Sequence, residues 1–443
     1  MTENKITNGN ITQRLLSFFF PIMIGSFFQQ LYNTVDSVVV GNYVSSDALR
    51  AVGGTSHIVN LLVGFFVGLA SGATVVISQY YGASDKNGIK KATHTSMALR
   101  IWGGLIMTII GVAISRFALI KINIRPEILD MSDSYLKIYF LGMIPSMIYN
   151  VGSGILRAVG DSKRPQNYLI ITCIINIILD LAFVVGLQMG VVGVAVATII
   201  SQIISAALIM KALTKTSDIY KVNVKEIKFD KNNLSRIVEI GLPAGGQSVL
   251  YSMSNLVISS AVNSFGANTT RAWSAISKVE AIIWMILTAF GTSVITFVGQ
   301  NYGAGKKDRV RKSVKIGLVL TASVVAFFSA LLYVFCPVFI KLFTQNTEVI
   351  DIGMSVLRIY APFYALYSFT EVLSGAVKGS GEGLMPMIIT VFTVCIMRLV
   401  WIWTVVPHFC TIQTVALSYP ITWALSSFVL ILYYMNYSKR EFH

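Results

Sequence analysis

The sequence has few charged residues for its length. Only 12% of its 443 residues are Asp, Glu, Lys or Arg, whereas 54% are hydrophobic. Soluble domains carry about a quarter of their residues as charged side chains. A chain with so little charge cannot cover a folded surface with polar groups, so most of that surface must face lipid. The composition therefore argues against a soluble protein and favours an integral membrane protein.

Cysteine and histidine are also scarce. The four cysteines form no CxxC pair and three of them lie inside apolar stretches, which is typical of small buried hydrophobes rather than of disulfides or metal ligands. The four histidines are His57, His94, His408 and His443, and none is spaced with carboxylates as a metal or catalytic set requires. We therefore predict no enzymatic activity and no resident cofactor.

Long apolar stretches are the dominant feature of the chain. A helical span needs about 20 apolar residues, and an open strand cannot satisfy its backbone in lipid. We therefore predict an all-α integral membrane fold of twelve transmembrane helices. The predicted spans are about 14–40, 52–78, 92–117, 128–157, 167–187, 190–213, 234–263, 272–298, 311–337, 347–378, 386–407 and 412–437.

The net charge of +15 is distributed between these spans rather than along one face. Lys and Arg are concentrated in every second loop, and these loops lie on the same side of the membrane. Such a charge bias orients the helices in the membrane, so the net charge does not indicate nucleic-acid binding. We predict a multi-pass protein of the inner or plasma membrane with both termini cytoplasmic. The basic loops are residues 86–91, 157–164, 211–231, 306–312 and 439–440.

The two halves of the chain repeat each other. Residues 79–83 (QYYGA) match residues 300–304 (QNYGA), and residues 154–157 (GILR) match residues 375–378 (GAVK), both at a spacing of 221. Six spans per repeat is an even number, so the two six-helix bundles share an orientation and are related by a pseudo-two-fold along the membrane normal. Transporters built this way place substrate between the halves.

We accordingly divide the chain into three parts. An N-lobe covers residues 1–213, a cytoplasmic inter-lobe loop covers residues 214–233, and a C-lobe covers residues 234–443.

Polar side chains at membrane depth are the candidate functional residues. An ionisable group there costs roughly 2.5 kcal/mol or more on insertion scales, and helical spacing groups several of them on shared faces. These are Gln29, Asn33 and Asp36 on the first span, Asn176 and Asp180 on the fifth, and Thr198 and Gln202 on the sixth.

Four of these residues suit the binding of a coupling ion. Asp36, Asn176, Asp180 and Thr198 supply the oxygens of a sodium cage, and the two aspartates could instead share a proton. The same residues serve both chemistries, so the sequence does not choose between sodium and proton. The competing interpretation is a polar network that only holds helices together.

The C-lobe lacks counterparts of these acids but has charged residues of its own. Lys278 and Glu280 lie on the eighth span and Glu371 on the tenth. Lys278 could pair with either acid, which would lower the cost of burying both. A structural ion pair and a site for an organic cation both remain open.

The sequence resembles the multidrug and toxic compound extrusion (MATE) transporters over nearly its whole length. The resemblance rests on the paired Gly-Ala loops at residues 82–83 and 303–304 and on an LRxxGD-like segment at residues 156–161. The NxxxD pattern of the fifth span, with Asp36 and Thr198, resembles the DinF-like branch. That resemblance implies a coupling-ion site in the N-lobe, and a cavity lined by Gln29, Tyr135 and Asn150.

The resemblance also implies a function. It predicts a secondary active antiporter that exports cationic or amphipathic organic compounds in exchange for protons or sodium by alternating access. We expect small-molecule substrates, a surrounding lipid bilayer and a monomer, since one chain contains both lobes. The alternative is a flippase for lipid-linked precursors in the same superfamily; such proteins often have a strongly cationic cavity, and membrane-depth cations are few here.

Overall fold

The computed structural model describes residues 6–122 and 124–442, apart from the side chain of His57; His443 also lies outside the described residues. In the part described, the chain forms twelve helical rods and no β-strand. The rods are α1 Ile11–Tyr43, α2 Ser46–Gly82, α3 Lys86–Lys121, α4 Pro126–Leu141 with Met143–Ala158, α5 Lys163–Gly186, α6 Gly190–Lys215, α7 Lys231–Asn263, α8 Ala267–Gly303, α9 Lys307–Val334, α10 Thr347–Gly379, α11 Leu384–Phe409 and α12 Ile412–Phe442.

The rods confirm the predicted all-α fold of twelve membrane-spanning helices in two bundles. Ten rods are individually long and apolar enough to cross a membrane, and α4 is the eleventh, bent by 48° at its break. The twelfth, α7, has 33 residues, and its interior Gly, Ser and Asn residues make it less apolar. The repeat is also visible in the helix boundaries, because α8 begins and ends 221 residues after α2 begins and ends.

Contacts divide the chain into two compact units. The first unit contains residues 20–242, and the second contains residues 6–19 and 243–442. This division differs from the predicted lobes, since residues 214–242 pack in the first unit and residues 6–19 in the second. Both changes of unit occur beside a proline, Pro21 in α1 and Pro243 in α7, where the missing N–H lets a helix bend.

The predicted inter-lobe loop is ordered against the first unit. Tyr220 and Val222 are buried, and the Arg164 guanidinium donates to the Tyr220 hydroxyl at 2.9 Å. The backbone N–H of Asn223 donates to Nε2 of His94 at 3.0 Å. These contacts hold the segment to one unit along its length.

Close backbone packing joins α2 to the start of α7 within the first unit. A Cβ atom added to Gly72 would lie 2.3 Å from the Ile237 carbonyl oxygen, and one added to Gly241 would lie 2.6 Å from the Leu69 carbonyl oxygen. Such distances require glycine, as at close helix crossings in membranes.

Replacing Gly72 should therefore destabilise the protein. Gly72→Ala forces two backbones apart, and overpacking of this kind costs about 1–3 kcal/mol, so we expect a lower midpoint of thermal unfolding in detergent. Gly53→Ala on the same helix is the matched control, because among the described residues no atom outside its own stretch of helix lies within 4 Å of a Cβ there. Equal unfolding midpoints for the two variants would contradict the close crossing.

Candidate functional site

Asp36 of α1 and Asp180 of α5 form an acid pair inside the first unit. Asp36 is 7% exposed and Asp180 is fully buried. Their carboxyl groups lie within hydrogen-bonding reach of each other. Among the described residues, no Lys or Arg lies within ion-pair distance of either carboxyl group. Two such groups cannot both be ionised without strong repulsion unless a proton or a cation is shared between them.

The atoms around the acid pair have unused hydrogen-bonding capacity. Within the described chain, no partner is found for Oδ1 of Asp36, either carboxylate oxygen of Asp180, or the side-chain oxygen and nitrogen of Asn176. Asn176 lies one helical turn before Asp180 and is fully buried. Buried polar atoms are nearly always hydrogen-bonded, so this cluster is suited to binding a cation or a proton.

Tyrosine side chains connect Thr198 of α6 to the acid pair. The Tyr32 hydroxyl donates to Oγ1 of Thr198 at 3.1 Å, and Tyr32 lies within electrostatic reach of Asp36. Thr198 in turn donates to the Val194 carbonyl at 2.9 Å. Tyr135 is 8% exposed and interacts electrostatically with both aspartates.

A cavity of about 100 Å³, with polar groups set in a largely apolar wall, adjoins this cluster in the first unit. A water molecule needs roughly 10–15 Å³ of such volume, so the cavity has room for several waters or a small polar group. Its lining contains hydroxyls and amides but no Asp, Glu, Lys or Arg. The lining residues are Gln29, Tyr32, Ser146, Tyr149, Asn150, Leu169, Thr172, Cys173, Thr198, Ser201, Gln202 and Ser205.

An apolar cluster closes the other side of the acid pair. Gln29 precedes Asp36 by seven residues on α1, which places the cavity about 10 Å along the helix axis on the N-terminal side. Val39 and Val40 follow Asp36, and Val184 follows Asp180. These three valines pack with Tyr135, Val191, Val194 and Ala195 into one buried cluster. The acid pair thus lies between a polar cavity and an apolar seal.

The helix carrying Asp180 changes geometry directly after it. Residues Leu181–Gly186 form a π-helical turn, whereas the preceding Lys163–Asp180 is regular α-helix. Such turns are rare and are found mostly at functional sites. The π-helical turn is therefore a second indication that this end of α5 belongs to a functional site.

The structure brings most of the predicted N-lobe residues together. Gln29, Asn150, Thr198 and Gln202 line the cavity. Asn33 does not: its side chain is exposed and lies outside the cavity lining.

The three predicted C-lobe residues do not form one group. Lys278 pairs with neither acid; it is exposed, and its ammonium lies 5.5 Å from the Phe343 ring centre. Residues two positions apart on a helix point in different directions, which separates Lys278 from Glu280. The Glu280 carboxylate accepts from the Tyr364 hydroxyl at 2.5 Å, so the predicted ion pair is corrected.

Glu371 has a separate environment. It packs against Gly291, where a Cβ atom would lie 2.3 Å from its carboxylate oxygen. It interacts electrostatically with Lys378, which donates to Gln247 Oε1 at 2.9 Å.

Several site residues were not singled out by the sequence. The hydroxyl of Ser205 donates to Thr172 at 2.9 Å in the cavity wall, and Ser201 also lines it. The sequence contains a signal for the two serines, because Thr198, Ser201 and Ser205 follow helical spacing on one face of α6. The role of the Tyr32 hydroxyl depends on the packing of α1 against α6.

Comparison with known proteins gives consistent results over the full chain. The family model MatE matches residues 21–182 and 243–404. A probable multidrug resistance protein of Bacillus subtilis, YoeA, is 27% identical over 451 residues, covering 100% of this chain and 97% of that protein. The multidrug export protein MepA of Staphylococcus aureus is 24% identical, covering 84% and 82%.

Solved structures show the same fold. A MOP superfamily transporter from Pyrococcus furiosus superimposes with a TM-score of 0.93 at 22% identity, covering 100% of this chain and 99% of that one. A MATE structure in the bent conformation gives a TM-score of 0.92 at 22% identity, with coverage of 100% and 98%.

Replacing Asn176 should raise stability if its side chain has no partner in the fold. Leaving a buried polar group unsatisfied costs about 1–3 kcal/mol, so we expect Asn176→Leu to unfold at a higher temperature in detergent. Thr172→Val is the control, because the Thr172 hydroxyl donates to the Tyr168 carbonyl at 3.0 Å and accepts from Ser205. A fall in unfolding temperature for both variants would show that Asn176 is satisfied.

Proposed function

The chain belongs to the MATE family of multidrug efflux transporters, and we propose that it is a secondary active antiporter exporting cationic or amphipathic organic compounds in exchange for protons or sodium. The observation that supports this most directly is the buried acid pair of Asp36 and Asp180, since no Lys or Arg among the described residues lies within ion-pair distance of it. Burying it is costly, and an exchangeable positive charge removes the repulsion.

The site residues have different roles in binding that positive charge. As a proton site, Asp36 and Asp180 share one proton between their two interacting carboxyl groups. As a sodium site, the same carboxylates and the Asn176 amide oxygen supply the hard oxygen ligands that such ions take. Thr198 is linked to Asp36 through Tyr32, so it acts by positioning that tyrosine.

The surroundings of the acid pair favour one route for the ion. With both termini cytoplasmic, as the positive-inside rule predicts, the polar cavity lies on the cytoplasmic side of the acids. The valine cluster then lies on the outer side. In this state the ion leaves Asp36 and Asp180 towards the cavity, and outward exchange requires the valine cluster to open, as alternating access demands.

The cavity, at about 100 Å³, is smaller than a drug-sized pocket, so we propose that it widens to bind a transported amphipathic compound. Its hydroxyl and amide lining offers hydrogen bonds without a fixed charge, and the nearby aspartates supply attraction for a cation. The flippase alternative is disfavoured, because a lipid-linked pyrophosphate would require Lys or Arg in this lining. We propose a monomer in the plasma membrane as the functional form.

Replacing either aspartate should abolish ion-driven efflux. Asp36→Asn and Asp180→Asn remove the negative charge while preserving shape, so we expect ethidium efflux from proteoliposomes to fall to the level of empty vesicles. Asp133→Asn is the control, since Asp133 already has partners, accepting from Ser115 at 2.5 Å and from Lys137 at 2.8 Å. Undiminished efflux in both site variants would refute the proposal.

The same assay distinguishes the two ions. Efflux is measured under an imposed pH gradient without sodium, and under a sodium gradient at equal pH on both sides. Only the gradient of the coupled ion should drive efflux by the unaltered protein, and neither should drive it in the Asp36→Asn variant.

Cys173 offers an independent test of where substrate binds. Cys173 lines the cavity, whereas Cys395 is buried in the second unit. In a variant that retains only Cys173, we expect ethidium to slow modification by a small methanethiosulfonate reagent. A variant retaining only Cys395 should show no protection, and failure to protect Cys173 would place the substrate elsewhere.

A further inference from the structure

The inter-lobe loop presents both cationic and apolar side chains outward. Val224 is 61% exposed and Phe229 is 45% exposed, and each lies between two lysines in the sequence. These lysines are exposed, and no Asp or Glu of the described chain lies within ion-pair distance of any of them. They are Lys221, Lys225, Lys228 and Lys231.

Two of the three acids of the loop face α3 instead. The Glu226 carboxylate lies 2.5 Å from the ammonium nitrogen of Lys90, and the Asp230 carboxylate lies 3.5 Å from that of Lys91. The third acid, Asp218, precedes the four lysines in the sequence. Because the acids of residues 221–231 are paired with α3, the outward surface of this segment carries an excess of positive charge.

Contacts with α3 fix the height of the loop relative to the lipid-facing surface. The Thr95 hydroxyl donates to the Lys228 carbonyl at 3.5 Å and accepts from the backbone N–H of Asp230 at 3.0 Å. The backbone of Phe229, between these two contacts, therefore lies beside Thr95. Trp102 follows Thr95 by seven residues on the same helical face, about 10 Å further along the axis.

The face of α3 that contains Thr95 continues as an apolar surface suited to lipid. Trp102 is 56% exposed, Ile106 is 52% exposed and Ile109 is 61% exposed. Tryptophan is enriched at the boundary between hydrocarbon and headgroups, so Trp102 marks that boundary. Phe229, about two helical turns towards the proposed cytoplasmic side, then lies at the level of the headgroups.

We propose that the inter-lobe loop is a docking surface for anionic phospholipids of the cytoplasmic leaflet. Val224 and Phe229 insert among the headgroups, and the four lysines bind lipid phosphates. Clusters of about four to eight cations beside a membrane-spanning helix bind anionic lipids in this way. Orienting the helices requires only charge, whereas an exposed phenyl ring at headgroup level adds apolar contact with the bilayer. Lipid binding here does not depend on the proposed antiport.

A lipid titration of the purified full-length protein in detergent tests the proposal. Phosphatidylglycerol should raise the midpoint of thermal unfolding by about several degrees, because a ligand that binds only the folded state stabilises it. Phosphatidylcholine, which has no net charge, should have a much smaller effect. Combining Lys221→Gln, Lys225→Gln, Lys228→Gln and Lys231→Gln should weaken phosphatidylglycerol binding roughly tenfold or more.

The matched control removes the same charge from four exposed lysines outside the loop. It combines Lys86→Gln, Lys307→Gln, Lys312→Gln and Lys439→Gln and should lose much less affinity for phosphatidylglycerol. An equal loss in both variants would show that net charge attracts the lipid, and would overturn the assignment to the loop. Equal stabilisation by inorganic phosphate would identify a site for free phosphate and overturn the lipid proposal.

A fluorescent label tests contact between the loop and the bilayer. In a variant without the native cysteines, bimane attached to Val224→Cys should be quenched by phospholipids brominated high on their acyl chains. Quenching should be stronger in phosphatidylglycerol nanodiscs than in phosphatidylcholine nanodiscs, and the four loop substitutions should remove this difference. Equal quenching in the two bilayers would contradict docking on anionic lipid. No transport is measured, so neither result depends on the antiport proposal.

Discussion

The structure depends on a pair of carboxyl groups buried in the first unit, with no Lys or Arg of the described chain within ion-pair distance. Asp36 and Asp180 lie within hydrogen-bonding reach at positions where each ionised group is expensive. Beside them, both polar atoms of Asn176 lack partners. A fold that only needed helix cohesion would gain stability from apolar side chains at these positions. Retaining an unsatisfied acid pair is therefore best explained by a positive charge that binds and leaves.

The two sides of the acid pair differ in polarity, which would give the proposed binding and release of an ion a direction. Polar hydroxyl and amide groups extend from Asp36 towards one end of the unit, and the valine cluster extends towards the other. Water can hydrate the first region but has no hydrogen-bonding partners in the second. The π-helical turn after Asp180 lies at the boundary between them. A change of helix geometry there would alter access on the sealed side while leaving the cavity lining in place.

Much of this could be predicted from the sequence, and the remainder has identifiable causes. Low charge and long apolar stretches predict the twelve helices, and helical spacing places Asn176 and Asp180 on one face of α5. Of the two possibilities left open for Lys278, an ion pair with Glu280 or Glu371 is not formed, because Lys278 is exposed on its helix. The cavity contacts of Tyr32 and the change of unit at Pro21 and Pro243 arise from tertiary packing, which periodicity within one helix does not encode.

The repeat offers a reason for the difference in buried side chains between the two units. Duplication supplies the same helices twice, but a transporter that couples one ion to one substrate gains nothing from two independent ion sites. Some repeat-related positions differ greatly in side-chain size: Gln202 of the first unit corresponds to Trp423 in the second. In the second unit a positive charge is instead part of the chain, because Arg398 is buried there with its guanidinium 4.0 Å from the centre of the Tyr419 ring. If the chain is the antiporter proposed above, the exchangeable positive charge binds in the first unit, where the two aspartates lie.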